Sequence, residues 1–181
     1  MVGVAYAREM TDRFALGFGA KFAHESLFDQ RSVSAMVRQG VFEEVNTYAS
    51  GLLFDFGIRY VTGYRSIEIG AAVQNFGSDV TYAVESYPVP LMFRVGIASD
   101  IIGPDGLLVT GSTQNRLRAA FDLFHPNDYA QQLHAGLEYD FQGVFAVRGG
   151  YKFFYDSDGL TLGAGLTPTF RDLGLSVDYS Y

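Results

Sequence analysis

The sequence predicts an all-β chain, an antiparallel up-and-down transmembrane β-barrel with about ten strands. Three observations predict it. Apolar and polar residues alternate with period two in segment after segment. The polar side of that alternation is rich in glycine and balanced in charge. The connections are mostly short at one end of the strands and long at the other, which is the arrangement of outer-membrane barrels.

The elements follow in order. A short opening strand runs around Val2–Arg8, and Thr11-Asp12-Arg13 turns it back. Phe14, Leu16, Phe18, Ala20 and Phe22 then share one face, with Gly17, Gly19 and Lys21 on the other. Residues 28–48 read as a long loop, with one helical turn expected within Ser32–Glu44. Leu52, Phe54, Phe56, Ile58 and Tyr60 oppose Asp55, Gly57 and Arg59, and Thr62-Gly63-Tyr64 forms the next short turn. Ile67, Ile69, Ala71 and Val73 oppose Glu68, Gly70 and Gln74 before a second long loop at 77–90. Leu91, Phe93, Val95 and Ile97 oppose Arg94 and Gly96. The connection at 100–115 breaks the short–long alternation and is expected to hold extra strand.

In the C-terminal half, Leu117, Ala119, Phe121 and Leu123 oppose Arg118 and Asp122. Residues 125–131 form a loop, after which Leu133, Ala135, Leu137 and Tyr139 oppose His134, Gly136, Glu138 and Asp140. Gln142-Gly143 is a tight turn, and Phe145, Val147, Tyr151 and Phe153 oppose Arg148, Gly150 and Lys152. A loop at 155–159 precedes Leu160–Leu166, and Leu173–Tyr181 reads as the last strand, with Asp178 on its polar side.

Composition bounds the function. The 181 residues make one domain, 1–181, with 21 Gly, 16 Phe, 12 Tyr, no Trp and no Cys. A net charge of −7 argues against nucleic-acid binding, which needs a basic stripe. Without cysteine there are no disulfides and no thiolate metal ligands. No stretch of 18 apolar residues is present, but a barrel strand needs only about 9–11 residues of alternating polarity.

Alternation alone does not choose between lipid and water, because a soluble sandwich also has one apolar face. Glycine on the polar face tips the reading, since it weakens a solvated strand but makes room for long side chains inside a barrel. The charges of that face, Lys21, Arg59, Arg94, Arg118, Arg148 and Lys152 against Asp55, Glu68, Asp122, Glu138, Asp140 and Asp178, are expected to form a paired interior lattice. Asp55 and Arg59 are expected to pair with each other, and His134 to sit beside Glu138. Tyrosines and phenylalanines at strand ends suit the aromatic girdles of a membrane interface.

The sequence carries few marks of chemistry, and no enzyme is expected. His24, His125 and His134 lack metal-ligand spacing, and no Ser/His/Asp cluster, P-loop or dinucleotide fingerprint is present. Asp156-Ser157-Asp158-Gly159 is a partial calcium-loop pattern without its distal glutamate, and reads as a polar turn. No cofactor is expected.

Several phrases together resemble the PorV/PorQ family, related in fold to FadL-type hydrocarbon transporters. They are Thr11-Asp12-Arg13-Phe14-Ala15-Leu16-Gly17 with Lys21-Phe22, Asp55-Phe56-Gly57-Ile58-Arg59-Tyr60, Ala72-Val73-Gln74-Asn75-Phe76-Gly77 and Pro88-Val89-Pro90-Leu91-Met92-Phe93-Arg94-Val95-Gly96. His134-Ala135-Gly136-Leu137-Glu138-Tyr139, Arg148-Gly149-Gly150-Tyr151 and Val177-Asp178-Tyr179-Ser180-Tyr181 complete the series. The resemblance implies a bacterial outer-membrane location, lipid as the surrounding medium, and either hydrophobic small molecules or type IX secretion proteins as partners. It also implies further strands before Met1 and one after Tyr181. The absence of a signal peptide at Met1–Tyr6 fits a chain that begins inside a longer protein. A soluble all-β binding module is the alternative.

Overall fold

Alternating chains with glycine at their turns form ladders, and the computed structural model is built almost wholly of them. It describes residues 1–26, 32–82, 85–155, 159–170 and 173–181. In chain order the strands are β1 (Val2–Thr11), β2 (Phe14–Ser26), β3 (Ser32–Arg38), β4 (Val41–Asn46), β5 (Tyr48–Val61), β6 (Glu68–Gly77), β7 (Val80–Tyr82) and β8 (Glu85–Tyr87). They continue as β9 (Met92–Ile102), β10 (Asn115–Pro126), β11 (Gln132–Phe141), β12 (Phe145–Phe153), β13 (Leu160–Leu166), β14 (Thr169–Phe170), β15 (Leu173–Gly174) and β16 (Val177–Ser180). No helix occurs among the described residues.

Ten strands form one antiparallel sheet in the order β1-β2-β5-β6-β9-β10-β11-β12-β13-β16, each beside its predecessor. The sheet is open, so β1 and β16 are its edges. Register keeps like with like. Phe18 faces Phe56, Phe56 faces Val73, Val73 faces Phe93, and Phe121 faces both Ile97 and Ala135. On the other face Arg118 faces Glu138, Glu138 faces Arg148, and Arg148 faces Gly163.

Local chemistry explains the short turns. The Thr11 hydroxyl accepts the N–H groups of Arg13 and Phe14, closing the first hairpin. Gln142 and Gly143 both have positive φ and the Val144 N–H donates to the Phe141 carbonyl, giving the mirror-image turn that matches strand twist.

Four expectations change. Ser32–Glu44 holds no helical turn but the β3–β4 hairpin, turned at Gly40 with φ 81°. The long loop at 77–90 contains a second hairpin, β7–β8. In the 100–115 connection, β9 continues to Ile102 in the ladder, but no separate strand joins the main sheet among the described residues. The connection folds back on itself, with Leu107, Leu108 and Val109 donating to the carbonyls of Asp100 and Ile101, and one isolated bridge joins Ile102 to Val109. The last strand is shorter than expected. Pro168 has no N–H with which to continue a ladder beyond β13, so Leu173–Gly174 pairs with Thr169–Phe170 and Val177–Ser180 alone joins the main sheet. Of the Asp156-Ser157-Asp158-Gly159 turn, residues 156–158 lie outside the described residues.

The sheet has no conventional core. No side chain among the described residues is completely buried, and the buried apolar residues are Val45, Ala49, Leu53, Val89 and Ala146. The long apolar side chains stay open on one face: Phe18 is 41% exposed, Phe56 48% and Leu162 55%. The chain presents 12968 Å² of surface, against about 8,700 Å² for a soluble monomer of its mass.

Candidate functional site

The glycine-bearing face collects the charges. Near the short turns, Arg59 grips Glu68 with two nitrogens, Nη2 on Oε1 at 3.0 Å and Nε on Oε2 at 3.2 Å. Arg118 reaches the same carboxylate at 3.3 Å. Arg148 bridges two acids, with Nε on Glu138 and Nη1 on Asp178. Arg116 Nε lies 2.9 Å from Asp100 Oδ2, and the Asp100 side chain is almost wholly enclosed.

Glycine supplies the space for this. A Cβ on Gly165 would meet the Asp178 carboxylate and the Arg148 guanidinium, and one on Gly96 would occupy the position of the Asp122 carboxylate. Small residues on the polar face therefore seat large ones from the next strand.

Further along, Lys21 Nζ lies 2.8 Å from Asp55 Oδ1 and donates to Asn75 Oδ1 at 2.6 Å. The Asn75 N–H donates to Asp55 Oδ1 at 2.9 Å. Asn75 has φ 59° and sits where the β5–β6 register slips, so a bulge turns its amide inward.

Toward the long loops the arrangement differs. The Arg94 guanidinium lies 5.0 Å from the centre of the Phe124 ring, and Lys152 Nζ 5.8 Å from that of Tyr155. His134 Nε2 is 2.8 Å from the Tyr155 hydroxyl, and its ring stacks on Phe124 with centroids 6.2 Å apart. Among the described residues, Arg94, Asp122 and Lys152 have no ion pair.

The structure thus brings together Lys21 with Asp55, Arg59 and Arg118 with Glu68, and Arg148 with Glu138 and Asp178. Two expected pairings are corrected. Asp55 meets Lys21 rather than Arg59, because four residues along a strand span about 13 Å whereas cross-strand neighbours lie about 5 Å apart. For the same reason His134 meets Tyr155 and Phe124 rather than Glu138. The paired lattice does not extend to Arg94, Asp122 and Lys152, and Asp140 caps the Gly143 N–H.

Sequence reading missed Asn75, Asp100, Arg116, Phe124 and Tyr155 as site residues. Phe124 carried a signal, being an aromatic at a polar-face position. Tyr155 did not, since Phe154 at φ 65° rotates it from the face its parity gives. His24 contacts Ser50 Oγ at 2.8 Å, far along the sheet from His134. No cluster of three metal-ligating side chains occurs among the described residues.

At the long-loop end the same face turns apolar. Ala49 and Leu53 are buried there, with Val45 and Val89 from the long connections also buried. Val80 of the β7–β8 hairpin lies 3.4 Å from the Cβ position of Gly51. The hairpin therefore folds across β5. The charged face also holds two adjoining concavities of about 500 and 580 Å³, which share Ala120 and Asp122. No family model matches the chain, and no curated protein matches it.

Proposed function

We propose that the chain forms the wall of a bacterial outer-membrane β-barrel of the PorV/FadL type, which serves the passage of hydrophobic compounds or type IX protein secretion. The observation that carries this reading is the uncovered apolar face. Across ten strands, phenylalanine, leucine, isoleucine and valine stand in register with no second layer against them. In water such a surface is an aggregation hazard, whereas in hydrocarbon it is matched to its solvent. Eight of the ten strands are 9 to 14 residues long, enough for a tilted crossing of about 9–11 residues. The ionic face then lines the interior, and the short turns face the periplasm.

Between the two roles, the buried group Val45, Ala49, Leu53 and Val89 favours hydrophobic compounds, because it makes the charged face apolar beneath the long loops. Lipid-facing residues give the test. Phe18 and Phe56 are ring neighbours at 5.3 Å on the apolar face. Phe18→Asp or Phe56→Asp is expected to abolish membrane assembly, read as loss of heat-modifiable gel migration and of detergent-dependent extraction. A chain that stays in aqueous solution without detergent, and tolerates both substitutions, is a soluble all-β module instead.

A further inference from the structure

We propose that a groove on the apolar face, running from the folded-back 100–115 connection across β10 and β11 to β12, holds an acyl chain of one phospholipid from the leaflet at the short turns. The site rests on the reading of that face as the hydrocarbon side, and goes beyond it in assigning a bound lipid with a defined position.

The apolar face is not evenly covered. Small side chains interrupt its large ones at Ala119 on β10, Ala135 on β11 and Gly149 on β12. Register sets Leu137 opposite both Ala119 and Gly149, and sets Phe121 and Tyr151 on either side of Ala135. The three small residues are therefore diagonal neighbours, and the floor they form bends around Leu137. Phe121, Leu137 and Tyr151 are 44%, 55% and 48% exposed and stand as its walls. The concavity holds about 640 Å³. A flexible hydrocarbon chain follows such a bend, whereas a rigid ring system bridges it and leaves the floor empty.

One end of the groove is closed. At β9 the floor continues to Ser99, which faces Ala119 and is buried on a face whose large side chains stand open. Two loops cover it. The Ser66 hydroxyl lies 3.0 Å from that of Ser99. Leu107, whose N–H donates to the Asp100 carbonyl, lines the groove together with Ile67. The floor from Ser99 to Gly149 crosses three inter-strand steps, about 14 Å.

The closed end lies at the short turns, and its surroundings select the headgroup. Arg65 stands two residues before Ile67, exposed, with φ 52° and no ion pair among the described residues. Tyr64 beside it is 67% exposed. A tyrosine at the membrane interface with a cation next to it answers the glycerol and phosphate of a lipid whose chain lies on the sheet. A second dent of about 490 Å³ surrounds Ala71 on the same face, but residues of the sheet alone line it. It lacks the loop wall and the neighbouring cation, and so serves as an internal control.

The test is native mass spectrometry of the full chain in detergent micelles, titrated with dioleoyl phosphatidylglycerol and with dioleoylglycerol, which lacks the phosphate. One phosphatidylglycerol is expected to bind saturably, and more tightly than dioleoylglycerol. Ala135→Leu and Gly149→Leu fill the groove without changing its polarity, and each is expected to weaken both lipids about tenfold or more. A Cβ at Gly149 meets only Leu162 Cδ2, at an ordinary 3.7 Å, so the strand has room for it. Arg65→Gln is expected to bring phosphatidylglycerol down to the level of dioleoylglycerol and to leave the latter unchanged. Ala71→Leu fills the control dent and is expected to change neither. Heat-modifiable migration is recorded on every sample. A heat-modifiable protein overturns the site alone if it shows no saturable phosphatidylglycerol, binds dioleoylglycerol equally well, or is indifferent to both groove-filling substitutions. The same holds if Ala71→Leu weakens binding as much as they do. A protein with no heat-modifiable form overturns the membrane reading, and the site falls with it.

Discussion

Near the short turns, the cations Arg59, Arg116, Arg118 and Arg148 meet the carboxylates Glu68, Asp100, Glu138 and Asp178, and every one is paired. Near the long loops, Arg94 and Lys152 lie against aromatic rings, and Asp122 lies over a glycine. Both regions use the same residue types on the same face of the same strands. Register accounts for part of the difference. Arg148 faces Glu138, whereas Arg94 faces Phe124 and Lys152 faces His134. Direct opposition alone does not decide pairing, since Arg118 faces both Glu138 and Asp100 yet reaches Glu68 two strands away, and a balanced composition does not secure it either.

Four experiments break or sharpen this contrast, taken from the largest expected effect. Gly96→Val drives a branched side chain into the seat of the Asp122 carboxylate. It is expected to cost about 1–3 kcal/mol through overpacking, read from the urea midpoint in micelles, with Asp122→Ala in the same chain recovering part of the loss. A neutral result would mean that the carboxylate moves aside freely.

Arg148→Ala comes next, because it leaves two carboxylates without their cation, Glu138 on β11 and Asp178 on β16. Its midpoint is expected to fall well below that of Lys152→Ala, which loses one ring contact and moves by no more than about 0.5 kcal/mol. Equal effects would erase the distinction between the two regions.

Lys21 and Asp55 occupy the boundary, and their side chains are only 19% and 28% exposed. A double-mutant cycle with Lys21→Met and Asp55→Asn is expected to give a coupling of about 1 kcal/mol, the upper end for partly exposed pairs. Strict additivity would show that the bond to Asn75, and not the ion pair, holds the lysine.

The smallest effect lies outside the sheet, at Tyr87 in β8. Its hydroxyl donates to Glu85 Oε2 at 2.7 Å, and the carboxylate raises the phenol above its usual range. The contact is whole while the phenol is protonated, and is lost as pH rises through that raised value. Ultraviolet titration of Glu85→Gln is expected to shift the Tyr87 transition downward. An unchanged transition would show that this loop pair, unlike those of the charged face, is dispersed by water.

The strands were legible because alternation is written one residue at a time. Leu16, Phe18, Phe22, Phe56 and Ile58 all stand on the face that their parity assigns. The tight turns were legible from Thr11 and from Gln142-Gly143. The ion partners were not, because Asp55 and Arg59 are close in sequence while Lys21 and Glu68 are close in space, and registry between strands leaves no local mark. The β3–β4 hairpin escaped because its apolar residues Val33, Val41, Phe42 and Val45 follow no clean period across the turn. Asp100 and Arg116 escaped because they flank a connection whose folded-back path no pattern announces.

One torsion angle at Asn75 has a reach beyond its own hydrogen bonds. The residue it adds to β6 reverses the strand's parity, so Phe76 faces Phe54 and rejoins the apolar side, while Asn75 takes the place beside Lys21. Side chains that reject left-handed backbone, such as valine or isoleucine, would favour an even pleat there, and an even pleat points the phenylalanine at the ions and the amide at the apolar face. A single backbone dihedral thus works as the switch that decides which face receives each side chain in the final stretch of that strand.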